Sequence, residues 1–276
     1  MEIVVCIKQV PDTTEIRIDP VTGTMQRQGV PSIINPYDLH ALEEALRLRE
    51  RYGGQVTVIS MGPPQVKEDL RRCIALGADD AVLISDRAFA GADTLATSYV
   101  LAQAIARIGS ERPVDLVLCG KQAIDGDTAQ VGPGIAQRLG FEQLTYVSQV
   151  ESVDLGRRVV RVHRHLEEGT EIVETRLPAL LTVIKEINEI RFAGMPVVLR
   201  GARYQVPVWS KDDIPHQPEH LGLKGSPTRV SKVFPPPLRT GGEIILGAED
   251  DPEAAARALV AKLLASGLRE KIGATA

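Results

Sequence analysis

Residues 116–133 read LVLCGKQAIDGDTAQVGP, and this stretch decides the fold. Four apolar residues end at Gly120, a polar loop follows, and Thr128 opens a segment with apolar residues at helical spacing. In an open parallel sheet, ligands bind beyond the carboxyl end of a strand, and the free N–H groups of a helix start attract phosphate. The stretch therefore predicts a nucleotide cradle. The simpler alternative is an ordinary connection between a strand and a helix, in which Gly126 and Asp127 form only a turn and a cap.

The chain on either side of this stretch alternates strands and helices. Continuous apolar runs predict strands that are buried on both faces. After Gly140 the pattern changes, and period-two alternation over 159–166 and 171–176 predicts a hairpin. This order predicts an α/β fold: a parallel sheet with right-handed crossovers, helices on both faces and an added β-hairpin. The buried strands are expected at residues 3–7, 56–60, 81–85, 114–119 and 179–184.

The last third of the chain has a different character. Residues 188–199 lose any regular pattern, which is typical of a packed connector or of an exposed contact loop. Residues 207–242 are rich in proline and are expected to be extended, and 252–264 has the pattern of a short helix. We expect an extended C-terminal arm that ends in a helix and wraps a partner, rather than a disordered tail. The predicted organisation is a domain at 1–206 and an arm at 207–276.

Composition narrows the functional class. The hydrophobic fraction of 43%, the charged fraction of 25% and the net charge of −4 describe a globular protein without the basic surface that nucleic acid requires. Cys6, Cys73 and Cys119 form no C-x-x-C pair, which favours buried free thiols in a reducing compartment. The chain begins with a strand instead of a signal sequence, and no apolar run approaches the roughly 20 residues of a transmembrane helix. The sequence therefore predicts a cytoplasmic protein.

Common catalytic and nucleotide-binding motifs are absent from the sequence. No G-x-G-x-x-G follows the first strand, and neither a P-loop nor a G-x-S-x-G elbow occurs. His163 and His165 lie on one face of a predicted strand without an evident third metal ligand, so we expect no metal site. Side-chain catalysis is unsupported, and a bound cofactor would have to carry any redox chemistry.

Six short motifs occur in a fixed order and carry a resemblance to a known family. The string GKQAID after a buried strand is the most specific of them. Together they closely resemble the β subunit of electron-transferring flavoproteins over nearly the whole chain. The motifs are Val4–Lys8, Asn35–Asp38, Met61–Pro63, Gly120–Asp125, Asn188–Phe192 and Pro236–Thr240.

This resemblance implies a Rossmann-like subunit that pairs with an α subunit, which carries its own FAD and is embraced by the C-terminal arm. It also implies a pocket that holds AMP in simple carriers, or a second FAD in the electron-bifurcating branch. The pocket residues that match the family by position are Cys6, Asn35, Pro36, Tyr37, Asp38, Met61, Gly62, Gly120, Lys121, Gln122, Ala123, Ile124, Asp125, Gly126, Asp127, Thr128, Ala129, Gln130 and Val131.

Two strings favour the bifurcating branch within the resemblance. Asp125–Pro133 looks like the bifurcating form, and Ala92–Ser98 points the same way, with Thr94 and Thr97 expected near the flavin ring. In that branch the second FAD takes hydride from NADH and sends its electrons along two routes, one to a low-potential acceptor such as ferredoxin or flavodoxin. The alternatives are a simple carrier with structural AMP and an adenine-nucleotide-binding regulatory protein.

The resemblance also gives a role to the irregular segment after residue 188. The family uses this segment to dock an acyl-CoA or related dehydrogenase through a leucine, and here the matching position holds Met195, with Phe192 nearby. Methionine is flexible and apolar, so it suits an anchoring contact.

Overall fold

Eleven strands and six α-helices occur among residues 1–12, 31–231, 242–245, 247 and 249–266, the parts of the chain that the computed structural model describes. The strands are β1 (Glu2–Cys6), β2 (Gln9–Pro11), β3 (Ser32–Ile34), β4 (Gln55–Met61), β5 (Asp80–Ile84), β6 (Leu116–Gly120), β7 (Glu142–Asp154), β8 (Val159–Leu166), β9 (Gly169–Arg176), β10 (Ala179–Val183) and β11 (Val208–Trp209). The helices are α1 (Pro36–Tyr52), α2 (Lys67–Leu76), α3 (Thr94–Glu111), α4 (Val131–Leu139), α5 (Met195–Arg203) and α6 (Pro252–Ala265).

Nine strands form one sheet in the order β11-β5-β4-β1-β6-β10-β7-β8-β9. Neighbours pair in parallel from β11 to β7, and β8 and β9 continue the sheet in antiparallel pairing. Strands β2 and β3 form a separate antiparallel pair. The predicted α/β fold with a Rossmann-like parallel sheet and an added hairpin is therefore confirmed.

The helices cover both faces of the sheet because successive side chains of a strand point to opposite sides. On one face, Leu46 of α1 and Leu70 of α2 pack in one core with Ile3 and Val5 of β1. On the other face, α3 and α4 contribute to a second core with the alternate β1 residues Val4 and Cys6. Helix α1, which follows β1, and α4, which follows β6, thus lie on opposite faces.

Strand β7 was not predicted as a strand. It runs for 13 residues and pairs with β10 on one side and β8 on the other. Its buried residues do not alternate regularly, since the pairing shifts register between Val147 and Gln149 and again between Val150 and Ser152. Such irregularities break the period-two pattern from which a strand is recognised.

Two further expectations are corrected by the helices. Helix α4 begins at Val131, not at Thr128, because Asp127 and Ala129 have φ angles of 49° and 54°, which a right-handed helix cannot contain. The segment that was expected to be irregular contains α5, which starts with Pro196 next to its first residue and packs closely on α2 through Gly201.

The chain divides into two compact units, Met1–Val233 and Phe234–Ala276. The start of the predicted arm belongs to the first unit, where β11 pairs with β5 and both Ile214 and Leu221 are buried. In the second unit, α6 leaves its leucines exposed. The motif at 236–240 lies outside the described residues, and the wrapping of a partner by the arm stays a prediction. Among the helices of the described ranges, none is both long and apolar enough to cross a membrane.

Candidate functional site

The candidate site is the crevice between the carboxyl ends of β1 and β6. These strands are direct neighbours, with Cys6 of β1 paired to Cys119 of β6. The chain leaves β1 toward α1 on one face and leaves β6 toward α4 on the other. Such a divergence is the topological switch point at which open α/β sheets bind ligands. The structure thus places the predicted cradle at the expected edge.

The carboxylate of Asp38, in the first turn of α1, joins the two strand ends. Its Oδ2 accepts a hydrogen bond of 2.8 Å from the backbone N–H of Lys8, and its Oδ1 accepts one of 2.9 Å from the N–H of Gly120. The side chain is only 5% exposed. Both oxygens therefore serve to hold the protein backbone.

Asn35 occupies the N-cap position of α1, but its side chain does not cap that helix. Instead its Nδ2 donates to the carbonyl of Gln122 at 2.9 Å, and its Oδ1 accepts from the N–H of Ile124 at 3.2 Å. Asn35 precedes a helix and is of a residue type that favours an N-cap, but this buried amide bonds the loop after β6 instead. Pro36 and Tyr37 complete the first turn of α1.

The loop after β6 is closed by side chains that lie far apart in sequence. Lys8 Nζ binds the Asp125 carboxylate at 2.7 and 2.8 Å. Within the loop, Gln122 Nε2 donates to Asp127 Oδ1 at 2.7 Å, and the Asp127 N–H donates to the carbonyl of Ala123 at 2.9 Å. The loop is therefore held in place by contacts within the protein. Lys8 was missed as a site residue, although its place directly after the first strand could have indicated it.

The far end of the loop meets the start of α3. Thr94 Oγ1 donates to Gln130 Oε1 at 2.8 Å, while Asp93 caps α3 through the N–H groups of Leu95 and Ala96. Thr94 therefore lies beside the loop, and its expected position near a flavin ring stays a prediction. Thr97 lies in the first turn of α3, where its N–H donates to the Asp93 carbonyl.

Small residues allow the backbone segments of the crevice to approach each other. A Cβ at Gly120 would lie 2.5 Å from Asp38 Oδ1, and a Cβ at Gly132 would lie 2.9 Å from Cys119 Sγ. Gly126, in contrast, has no other atom within 4 Å of such a Cβ. The floor of the crevice is tightly packed, whereas the tip of its loop is open.

Burial controls the ionisation of the crevice floor. It raises the pKa of Asp38 to about 7, against the hydrogen bonds from Asn35, Lys8 and Gly120 that lower this pKa. Burial also raises the pKa of the Cys6 and Cys119 thiols well above the ordinary range. These thiols are neutral and unreactive, which confirms the expectation of buried free cysteines.

Other predicted pocket residues lie at the same edge of the sheet but contact different parts of the protein. Met61 is the last residue of β4 and Gly62 follows it. Met61 packs against the core beneath α3 and α4, as does Val131. The ammonium of Lys121 lies 5.6 Å from the ring centroid of Tyr37 and 5.2 Å from that of Tyr146 on β7. Tyr146 could not be found from sequence because β7 itself was not recognised. Across the described ranges, no cluster of His, Cys, Asp and Glu could hold a metal ion.

Phe192 and Met195 lie on the α1 and α2 side, away from the crevice loop. Phe192 is fully exposed and Met195 is 69% exposed. The backbone before them is fixed to α1 by a group that we call the arginine clasp, which consists of Arg191, Glu43, Glu50 and Arg47.

Within the arginine clasp, Arg191 binds Glu43 Oε2 through Nε at 2.8 Å and Glu50 Oε1 through Nη1 at 2.5 Å. Arg47 Nε donates to Glu43 Oε1 at 2.7 Å and its Nη2 to the carbonyl of Glu189 at 2.9 Å. Burial opposes ionisation of Glu43, but the bonds from Arg191 and Arg47 outweigh it and lower the pKa of this carboxyl. Phe192 and Met195 thus follow a segment that charged side chains bind to α1.

The parallel sheet and the crevice at its switch point define an α/β protein of the nucleotide-binding type. Residues 22–214 match the electron transfer flavoprotein domain. Protein FixA of Azotobacter vinelandii is 53% identical over 269 residues, which are 95% of this chain and 94% of the relative. The electron transfer flavoprotein subunit beta of Clostridium acetobutylicum is 52% identical over 245 residues, 89% of this chain and 92% of the relative.

A third relative is the caffeyl-CoA reductase-Etf complex subunit CarD of Acetobacterium woodii. It is 50% identical over 272 residues, which are 98% of this chain and 99% of the relative. The chain therefore belongs to the electron transfer flavoprotein family, as a β subunit. Such β subunits pair with an α subunit and act in electron transfer.

Proposed function

We propose that this chain is the β subunit of an electron-bifurcating flavoprotein and holds FAD in the crevice between β1 and β6. When bound, FAD would accept hydride from NADH and pass the electrons separately, one to a low-potential acceptor such as ferredoxin or flavodoxin, the other through the α-subunit FAD to a dehydrogenase or quinone-linked acceptor. The residues of this chain bind and orient the cofactor, and none of them is assigned as catalytic. The cytoplasmic location expected from the sequence stays a prediction.

The observation that carries this proposal is the set of free backbone donors in the crevice loop. No described residue accepts a hydrogen bond from the N–H groups of Thr128, Ala129 and Gln130. Positive φ angles at Asp127 and Ala129 stand next to a right-handed Gln130, an alternation that turns successive N–H groups toward one concave side. Together with the start of α4, these donors fit the diphosphate of a dinucleotide.

The shape of the loop supports a ligand larger than AMP. Gly126 leaves the tip of the loop open, and the Thr94 hydroxyl lies beside Gln130 at the start of α3. At this helix start, Thr94 and Thr97 would be available to hold the flavin part of FAD through their hydroxyl groups. AMP, which lacks the flavin, would leave them without a ligand contact.

Counting the cofactors of the purified heterodimer tests the proposal. We expect two FAD molecules in each complex of this chain with its α subunit, and reduction of flavin by NADH under anaerobic conditions. One FAD with one AMP, and no reduction by NADH, would assign the chain to the simple carriers and contradict the proposal.

We further propose that Phe192 and Met195 dock an acyl-CoA dehydrogenase or a related enzyme. Two large and strongly exposed apolar side chains, next to a segment that is bound to α1, are typical of an interaction site. The name of the Acetobacterium relative, a subunit of a caffeyl-CoA reductase-Etf complex, supports a partner that acts on CoA esters.

Removing these side chains should weaken docking without affecting the cofactor. For the variant with both Phe192→Ala and Met195→Ala, we expect the KM for the acceptor dehydrogenase to rise at least about tenfold, as anchoring residues typically contribute more than about 1 kcal/mol each. Steady-state electron transfer to the dehydrogenase measures this. The matched control is Ile172→Ala, which removes a 53% exposed apolar side chain from β9. An unchanged KM in the double variant would refute this docking site.

A further inference from the structure

The buried carboxylate of Asp38 lies between the carboxyl ends of β1 and β6 and is hydrogen-bonded to the backbone at both ends. The Asp38 carboxylate accepts one hydrogen bond from the Lys8 N–H on the β1 side and one from the Gly120 N–H on the β6 side, so each of its oxygens is already bonded to the backbone. The resemblance placed Asp38 among the cofactor contacts, whereas its hydrogen bonds are all made within the protein.

We propose that Asp38 is a positioning residue whose ionised carboxylate sets the spacing of the β1 and β6 ends and thereby the affinity of the crevice for FAD. This inference rests on the proposed function. It assigns to Asp38 an effect on the cofactor that passes through the backbone, without a direct contact.

The chemistry of the two bonds requires an ionised carboxylate. A carboxylate can accept from two N–H groups at once, whereas an amide of the same shape offers one oxygen and turns its NH2 group toward the second N–H. A protonated acid has the same defect, since its O–H faces a donor. Either change leaves a buried backbone N–H without its partner, and the strand ends should then shift apart.

The residues that Asp38 holds lead directly into the loop that would bind the diphosphate. Lys8 carries the ammonium that fixes Asp125, and Gly120 is followed by the residues that Asn35 holds at Gln122 and Ile124. A displacement of either strand end would therefore move the residues that hold the loop in place.

The surroundings of Asp38 raise its pKa into a pH range that binding experiments can reach. Burial raises its pKa to about 7. The charged and titratable groups that face it are the Lys8 ammonium, paired with Asp125, and the neutral thiols of Cys6 on β1, Cys73 on α2 and Cys119 on β6. We therefore expect FAD binding to weaken as the pH falls through about 7.

Ionisation of Asp38 has opposite effects on FAD binding and on folding stability. This difference distinguishes a positioning role from a general structural role. A carboxyl whose folded pKa is raised above its unfolded value of 3.8 contributes most stability below that value and loses this contribution as the pH rises through about 7. The ionised form that favours FAD is thus the form that costs folding stability.

The test compares FAD affinity and unfolding of the heterodimer in three forms, the wild type, Asp38→Asn and Glu2→Gln. Glu2 is a matched control, because it is a buried carboxyl with a raised pKa at the opposite end of β1. Flavin is removed from each complex and FAD is titrated back at about pH 6 and about pH 8, on either side of the Asp38 pKa.

For wild type and Glu2→Gln, we expect the Kd for FAD to rise at least about threefold from pH 8 to pH 6. For Asp38→Asn, we expect a Kd about tenfold higher at pH 8, from the loss of one charge-assisted bond, and no change of Kd with pH.

An Asp38→Asn complex that matches wild type in affinity and pH dependence would overturn this inference alone. If that variant does not assemble, a pH-independent Kd in the wild type would overturn it as well. A wild-type complex that binds no FAD in addition to that of the α subunit would overturn the proposed function, and this inference with it.

Discussion

Replacing Gly120 by alanine is expected to expel the proposed FAD from the crevice and to destabilise the fold by about 1–3 kcal/mol. The added Cβ would lie 2.5 Å from both Asp38 Oδ1 and Tyr37 Cβ, and 2.8 Å from the Tyr37 carbonyl carbon. The two Tyr37 atoms are close to or part of the backbone in the first turn of α1 and cannot swing aside as the end of a flexible side chain would. Cofactor content and denaturant unfolding of the heterodimer measure both effects.

Gly126→Ala is the matched control for this substitution. It lies in the same loop region, but its Cβ would meet no atom within 4 Å. We expect it to retain the fold stability of the wild type. An equal loss of folding stability in both variants would show that the packing at Gly120 has no special role.

Replacing Glu43 by alanine is expected to lower the free energy of unfolding by about 2–4 kcal/mol and to release the segment that carries Phe192. The Glu43 side chain is 3% exposed and pairs with both Arg191 and Arg47, so its removal leaves two guanidinium groups without their shared partner. Denaturant unfolding measures the stability, and hydrogen exchange of residues 188–194 measures the release.

The pH dependence of this variant has a definite sign. Because the folded pKa of Glu43 is lowered, its contribution is present above the unfolded value of 4.5 and is lost as the pH falls through the folded value. The difference between wild type and Glu43→Ala should therefore shrink in acid. Glu50→Ala removes a carboxylate of the same clasp that is 52% exposed, and it should cost less than about 1 kcal/mol. Equal costs for the two variants would contradict the argument.

Much of the fold could be predicted because its signals are local. The run before Gly120 marks a strand buried on both faces, and Asp93 caps α3 as its position before an apolar helix indicates. The edge at which the site lies also follows from the order of strands and helices, without knowledge of any side-chain contact.

What could not be predicted depends on contacts between distant residues. Asn35 has the sequence position of a helix cap, yet its amide serves a loop 87 residues later. The pair of Lys8 and Asp125 joins residues 117 positions apart, so no pattern along the chain reveals it. Asp127 and Ala129 delay the start of α4 through positive φ angles that their residue types do not demand.

Helix α1 has 17 residues and is therefore about 25 Å long. Its first turn carries Asp38 at the crevice, its middle carries Glu43 and its last turn carries Glu50, the latter two belonging to the arginine clasp. A single helix thus connects the proposed FAD site with the proposed docking site of the partner enzyme. A tilt of this helix would therefore displace both the proposed FAD site and the proposed docking site of the partner.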